Sequence, residues 1–176
     1  MKHILSFLCV IFLQYFTLLG ADKNSDNKPR CDTISINAFA VDGIKIGDHI
    51  NLLVKKWGEP YSYRKNRTAY DASVIYISTY YRVASFILNE NENISDIDYV
   101  ISPDVHIQLG DSTIHIGDDI AKLSALFPDS YSAYLNGNKR VFYLAGTNNT
   151  DSYTGFKFQF IIKQGLIICF GTYVEE

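Results

Sequence analysis

Few places in this chain could hold chemistry, and its histidines come first. Apart from His3 they are His49, at the start of a helical stretch, and His106 and His115, which face each other across a hairpin. A cross-strand pair of imidazoles is the beginning of a metal site, because each neutral ring offers a nitrogen lone pair. Two ligands without a third nearby hold a metal weakly, and both rings read as part of a solvated polar strand face. Asn89–Asp98 (NENENISDID) spaces its acceptors somewhat as a calcium loop does, but lacks the Gly and the terminal Glu that such loops require. It reads as a polar hairpin turn followed by a strand with Asp96 and Asp98 outward. The chain has no Gly-rich phosphate loop, no H-E-x-x-H, no G-x-S-x-G and no C-x-x-C. No catalytic, cofactor-binding or metal-ligating residue is expected, and the chain does not read as an enzyme. Asn66-Arg67-Thr68, Asn93-Ile94-Ser95 and Asn148-Asn149-Thr150 match the glycosylation sequon, which has meaning only in a eukaryotic source.

Tyrosine is the compositional signal, with 13 in the chain. A rigid ring with a polar tip gives binding area at low entropic cost, although tyrosine is also a good strand former. Aligning Val74–Ile77 with Val141–Leu144 turns Ile75, Ile77, Phe142 and Leu144 inward and leaves Tyr76 and Tyr143 outward as equivalents. Lys157 and Gln159 point away from Phe156, Phe158 and Phe160. Tyr76, Tyr143, Lys157 and Gln159 are therefore the candidate contacts for a partner protein.

The elements that must position these residues are organised around a stretch written twice. IKIGDHINLLVKKWGEPYSY (44–63) returns as IHIGDDIAKLSALFPDSYSA (114–133), with eight of twenty positions identical and no gap. Each copy reads as a strand running into a short helix. Gly47-Asp48 and Gly117-Asp118 mark the switch, with the aspartate as N-cap. Ile50, Leu53, Val54 and Trp57 form one helical stripe, and Ile120, Leu123, Ser124 and Phe127 occupy the same phases. Gly58-Glu59-Pro60 and Pro128 stop the helices, since proline cannot donate the next hydrogen bond. His115 stands where Lys45 stands in the first copy, which favours plain surface for that imidazole.

Ahead of each helix a hairpin is expected. Ile34–Val41 meets Ile44 across Asp42-Gly43, with Phe39 opposite Ile46. In the second copy Ile107 faces Ile114 and Val105 faces Ile116 across Gly110-Asp111. Behind each helix a meander follows. Tyr61–Arg64 turns at Lys65–Arg67 and leads to Val74–Ile77, then Arg82–Leu88 and Ile94–Ile101. Its counterpart is Tyr131–Leu135, turning at Asn136-Gly137 into Arg140–Ala145, then Phe156–Ile162 and Leu166–Val174. The fold class is α+β: a tandem repeat of hairpin, helix and antiparallel meander, with the helices on one face of a continuous antiparallel sheet. The repeats cover 34–102 and 103–176.

The motif I-x-I-G-D-x-I-x-x-L, followed by G-E-P-Y in the first copy and echoed as IHIGDDIAKL in the second, resembles the β-lactamase inhibitor protein fold. It is also similar to the outer-membrane assembly lipoprotein family SmpA/BamE. The resemblance spans most of residues 34–174 and implies two repeats on one sheet. By analogy with the inhibitor family it implies binding to a secreted enzyme. The lipidated cysteine of the lipoprotein family has no counterpart here.

Residues 1–21 read as a signal peptide: Lys2 and His3 lead into an apolar run, Ile4–Leu19, too short for a membrane span of about 20 apolar residues. Residues 22–33 read as a flexible leader. Without 1–21 the chain keeps 15 basic and 19 acidic side chains, since Lys2 alone is lost. That balance leaves no footprint for nucleic acid and no polybasic patch for anionic lipid. A secreted or periplasmic location with no membrane insertion after cleavage is expected; the alternative is an uncleaved anchor. In that oxidising setting Cys31 and Cys169, an even pair, are expected to form a disulfide; the alternative is a buried thiol at Cys169. The functional expectation is an exported protein-binding module, an inhibitor or immunity protein acting on a secreted or periplasmic protein. The alternatives are a cell-envelope assembly protein and a small-ligand carrier or enzyme.

Overall fold

A computed structural model describes residues 31–67, 75–147 and 153–174. The apolar run Ile4–Leu19, the residues up to Arg30, residues 68–74 with Val74 of an expected strand, residues 148–152 and residues 175–176 lie outside the described residues. Among those described, no helix is long and apolar enough to cross a membrane.

The strands are β1 (Thr33–Ser35), β2 (Phe39–Val41), β3 (Ser62–Arg67), β4 (Ile75–Tyr80), β5 (Ala84–Leu88), β6 (Ile94–Val100), β7 (Ile107–Leu109), β8 (Ser112–Ile114), β9 (Val141–Thr147), β10 (Tyr153–Lys163) and β11 (Leu166–Val174). The helices are α1 (Ile50–Trp57), α2 (Ala121–Leu126) and α3 (Pro128–Asn136). The fold is α+β and mostly sheet. Eight strands form one sheet in the order β1-β9-β10-β11-β6-β5-β4-β3, and β2-β7-β8 form a second. The large sheet is antiparallel except at β1, which runs parallel to β9. Its two halves meet where β11 pairs with β6, Phe170 opposite Val100.

Alternation decides which face is buried. Phe156, Phe158, Phe160 and Ile162 on β10 turn to the same side as Phe142 and Leu144 on β9, Phe170 on β11 and Phe86 and Leu88 on β5, and all are buried. Everything else packs on that inner face. Phe39 of β2 brings the small sheet onto Phe158 and Phe170, with ring centres 4.8 and 5.4 Å away. Trp57 of α1 lies on Phe86 and Tyr81, and Tyr134 of α3 on Phe142. Ile50 and Leu53, and likewise Ile120 and Leu123, are buried, with Trp57 and Phe127 packed at the rim of the core.

Both helices that follow a Gly-Asp pair are attached in the same way. The Gly47 amide donates to Ile94 O, the Ile94 amide to Asp48 O and the Ile50 amide to Glu92 O, at 2.7, 2.8 and 2.9 Å. The Gly117 amide donates to Ile167 O, the Ile167 amide to Asp118 O and the Ile120 amide to Gly165 O, at 2.7, 2.9 and 2.8 Å. Gly47 and Gly117 hold φ at +93° and +96°, a conformation that side chains with a Cβ rarely adopt.

Several sequence expectations are corrected. Asp48 and Asp118 do not cap the helices. Their carboxylates instead accept the amides of Lys45 and His115, closing the turn before the helix, while His49 Nδ1 and Asp119 Oδ1 accept the first helical amides. Ile34–Val41 is not one strand, because a 3-10 turn at Ile36–Ala38 sends β1 to the large sheet and β2 to the small one. Phe39 lies opposite Leu109, not Ile46, and the hairpin at Asp42-Gly43 shrinks to a single Val41–Ile44 bridge. Lys65–Arg67 continue β3 and do not turn. Tyr131–Leu135 are helical: Pro128 begins α3, at the first-turn position where its missing amide costs nothing, instead of only ending α2. The Gly110-Asp111 hairpin has the expected register, Ile107 opposite Ile114.

Cys31 and Cys169 are thiols, the first exposed and the second half-buried, and the expected bond is not formed. Sheet order explains this. β1, which Cys31 precedes, lies three places from β11, about 14 Å at the usual strand spacing. A disulfide needs alpha carbons within about 7 Å.

Leu53 and Leu123 are both fully buried. Leu53→Ala and Leu123→Ala should each lower the unfolding free energy by about 2–5 kcal/mol in chemical denaturation. A loss at one position only would show that the two helices are not equally important to the core.

Candidate functional site

With the helices and the small sheet on the inner face, the outer face of the large sheet presents a different surface. One row crosses seven strands. Tyr143 on β9 lies opposite Gln159 on β10, and Gln159 opposite Gly171 on β11. The Phe170–Val100 pairing sets Gly171 beside Tyr99 on β6; Tyr99 lies opposite Ser85, Ser85 opposite Tyr80, and Tyr80 opposite Ser62. Tyrosines thus alternate with smaller side chains; Ser85 and Gly171 are themselves buried, the latter with the Gln159 amide beside it, so the half-buried tyrosine rings are what the row presents. A bulge in β6 pushes Asp98 toward β11, and a Cβ on Gly171 would meet Asp98 O at 2.7 Å.

Neighbouring residues widen the row into a patch. Lys157 lies between Ala145 and Tyr173, and the Tyr143 and Tyr173 rings meet edge to face at 6.3 Å. At the other end Tyr61 lies 6.3 Å from Tyr80, and the Arg64 guanidinium stands 6.0 Å from the Tyr80 ring centre. Burial pushes the Tyr143 hydroxyl above its ordinary pKa. Burial does the same at Tyr99, assisted by the Tyr61 hydroxyl that hydrogen-bonds with it. These phenols stay neutral and act as hydrogen-bonding tips on apolar rings.

Asp96 and Asp98, expected outward, are largely withdrawn from water at the β6 bulges. Burial pushes Asp98 up. Burial also pushes Asp96 up to about 6, against the pull of the Thr172 hydroxyl and the Ile97 amide, both of which donate to it, and with Asp98 adding to the rise.

Of the expected contact residues, Tyr143, Gln159 and Lys157 come together, all half-buried on this face. Tyr76 does not join them. It lies on β4, the strand of Tyr80, opposite Asn66 and four residues along from the row, about 13 Å at the usual rise. Its side chain lies outside the described residues. Sequence reasoning missed Tyr173, Tyr99 and Tyr80. Their signal was available, because Tyr173 and Tyr99 alternate with inward Phe170 and Val100, but their meeting depends on a sheet order that no local pattern carries.

A second cluster lies at the base of the β7–β8 hairpin. The His106 and His115 rings are 4.9 Å apart, edge to face. His106 Nδ1 is 3.0 Å from Asp42 Oδ1, and His115 Nδ1 is 3.7 Å from Asp118 Oδ2. Asp42 also accepts the His106 amide and the Trp57 indole N–H. Burial raises the Asp42 pKa, but those donors and the nearby Lys56 outweigh it and hold the carboxyl below its ordinary value. Asp118 is likewise held low, burial being outweighed by Lys122, whose ammonium lies 2.8 Å away, and by His115. Among the described residues no group of three or more His, Cys, Asp or Glu side chains is arranged to hold a metal ion. A shallow depression of about 300 Å³ between β8 and α2 is lined by Ser112, Thr113, Ile114, Lys122, Ala125 and Leu126. Its one charged group, Lys122, is engaged by Asp118.

The Asp96 shift gives a pH dependence of known sign. The folded state holds the proton more tightly than the unfolded chain, whose aspartate titrates near 3.9. Its stabilising share is therefore complete below about pH 4 and is lost as pH rises through about 6. The whole change is at most about 3 kcal/mol. Asp96→Asn, which mimics the protonated form, should flatten unfolding free energy measured between pH 4 and 7. A dependence of the same size in the variant would assign it to other groups.

Comparison with protein-family models, with curated proteins and with solved structures finds no match, so the use of this face has to be argued from its own chemistry.

Proposed function

We propose that this chain is an exported protein-binding module of two tandem repeats, and that it captures another protein on the outer face of its eight-stranded sheet as an inhibitor or immunity protein does. One observation carries the reading: the row Tyr143, Gln159, Gly171, Tyr99, Ser85, Tyr80, on the face opposite the helices and the small sheet. Two carboxylates beside that row, Asp96 and Asp98, are held partly out of water at a cost in stability that their hydrogen bonds offset only in part, which raises both pKa values. Rigid rings that need little further ordering, with amide and ammonium groups between them, suit protein recognition, where a few aromatic anchors dominate.

The repeat reading is supported by the matching attachments of α1 and α2, each held by Gly-Asp at positions seventy apart. With the resemblance to β-lactamase inhibitor proteins it favours an exported binder. Export itself rests on the apolar run after Lys2.

The test is a double substitution on either side of Gly171, Tyr143→Ala/Tyr99→Ala. The wild-type chain, immobilised and exposed to extracellular or periplasmic proteins of its source, should retain a specific partner. The variant should lose at least about 2 kcal/mol of that affinity, roughly thirtyfold, with its thermal midpoint lowered by no more than a few degrees. Equal capture by both chains, or none by the wild type, would refute the assignment.

A further inference from the structure

The cluster at the base of the β7–β8 hairpin has no part in the proposed binding face, and its geometry points to a ligand of its own. We propose that His106 and His115 form a two-imidazole site for a borderline-soft divalent metal ion such as Zn²⁺, oriented by Asp42 and completed by water.

The spacing is the first argument. A ring nitrogen about 2.0–2.1 Å from Zn²⁺ puts its ring centre about 3 Å from the metal, so two rings at a near-tetrahedral angle lie about 5 Å apart. The observed centres are 4.9 Å apart with the ring planes 70° from one another. The second argument is the partner of the His106 ring. His106 Nδ1 faces a carboxylate at 3.0 Å and therefore carries the proton, which leaves Nε2 as its lone-pair nitrogen. His115 Nδ1 lies 3.7 Å from Asp118 Oδ2, beyond hydrogen-bond distance, so only the His106 tautomer is fixed in this way. A carboxylate hydrogen-bonded behind an imidazole is the usual support of a metal-binding histidine, and His106 has it: it fixes the tautomer and raises ligand basicity.

Access is open, because His106 and His115 side chains are 63% and 33% exposed while Asp42 behind them is 11% exposed. The rings are also held in place. Asp42 is fixed by the His106 amide and the Trp57 indole, and Asp118 by the His115 amide and Lys122. Folding does not require a histidine at 115, since Lys45 stands at the equivalent place beside Asp48. Lys122 neutralises part of the Asp118 charge and so opposes a cation; its removal should strengthen the site.

The experiment uses the full chain and Zn²⁺ alone, with Mg²⁺ as the control ion, read by NMR of the imidazole carbon-bound protons and by calorimetry. His106 and His115 resonances should move together to saturation at one equivalent, and Mg²⁺ should move neither. His115→Gln and His106→Gln should each weaken this binding at least tenfold, His49→Gln should leave it unchanged, and Lys122→Gln should tighten it. If His106→Gln fails to fold, as shown by circular dichroism, His115→Gln decides alone. Zinc binding of undiminished affinity in His115→Gln, movement of only one of the two rings, or no movement at millimolar Zn²⁺ would overturn the site.

Discussion

The structure depends on how its short helices are held. A helix of six or eight residues has too few internal hydrogen bonds to offset the entropy of its own nucleation. Here the chain before α1 and α2 is hydrogen-bonded, main chain to main chain, to the start of a strand in the large sheet: Gly47 and Asp48 to Ile94, Gly117 and Asp118 to Ile167. Because these bonds fix the position of each helix relative to β6 and β11, Ile50, Leu53, Ile120 and Leu123 meet the inner face without relying on helix propensity. The glycines are required by their positive φ. Each aspartate carboxylate supplies the last constraint by closing the turn ahead of the helix.

That constraint also explains why the sequence could be read as far as it could. Gly-Asp followed by an apolar stripe is local information, and both helices lie where it puts them. Phe156, Phe158, Phe160 and Ile162 alternate without interruption, so β10 and its buried face were legible, as was β11 from the turn at Gln164-Gly165. What failed was either ambiguous locally or determined far away. Tyr131–Leu135 contains residues that suit strands, and only Pro128 at the first helical position, with Tyr134 packed on Phe142, makes it a helix. Ile34–Val41 has the composition of one strand but lies where two sheets compete for it, and Ser35, whose hydroxyl accepts the Asn37 amide, marks the break.

The candidate site was legible in part for the same reason. Tyr143, Lys157 and Gln159 followed from alternation on adjacent strands. Tyr76 followed from aligning the two sequence copies, and alignment is not proximity: it lies on the strand of Tyr80 but four residues along from the row. The row as a whole required knowing that β11 lies against β6, a pairing no hairpin turn announces. The same long-range order separates Cys31 from Cys169, so an argument from cysteine count alone was overruled by topology.

The two clusters divide the molecule in a physically consistent way. The outer face gathers neutral phenols around Gly171, which must be glycine because a Cβ there would meet the Asp98 carbonyl. The β6 bulge also withdraws Asp98 from water, so the close approach at Gly171 and the electrostatic cost have a common origin. In the other layer, the hairpin carries its imidazoles above Asp42 and Asp118, and Asp118 is also the residue that anchors α2 to β11. The turn that fastens a helix to the large sheet thus also orients a histidine, and a change at Asp118 acts on fold and cluster together. His115, with no structural bond beyond its own turn, is the position at which the two can be separated.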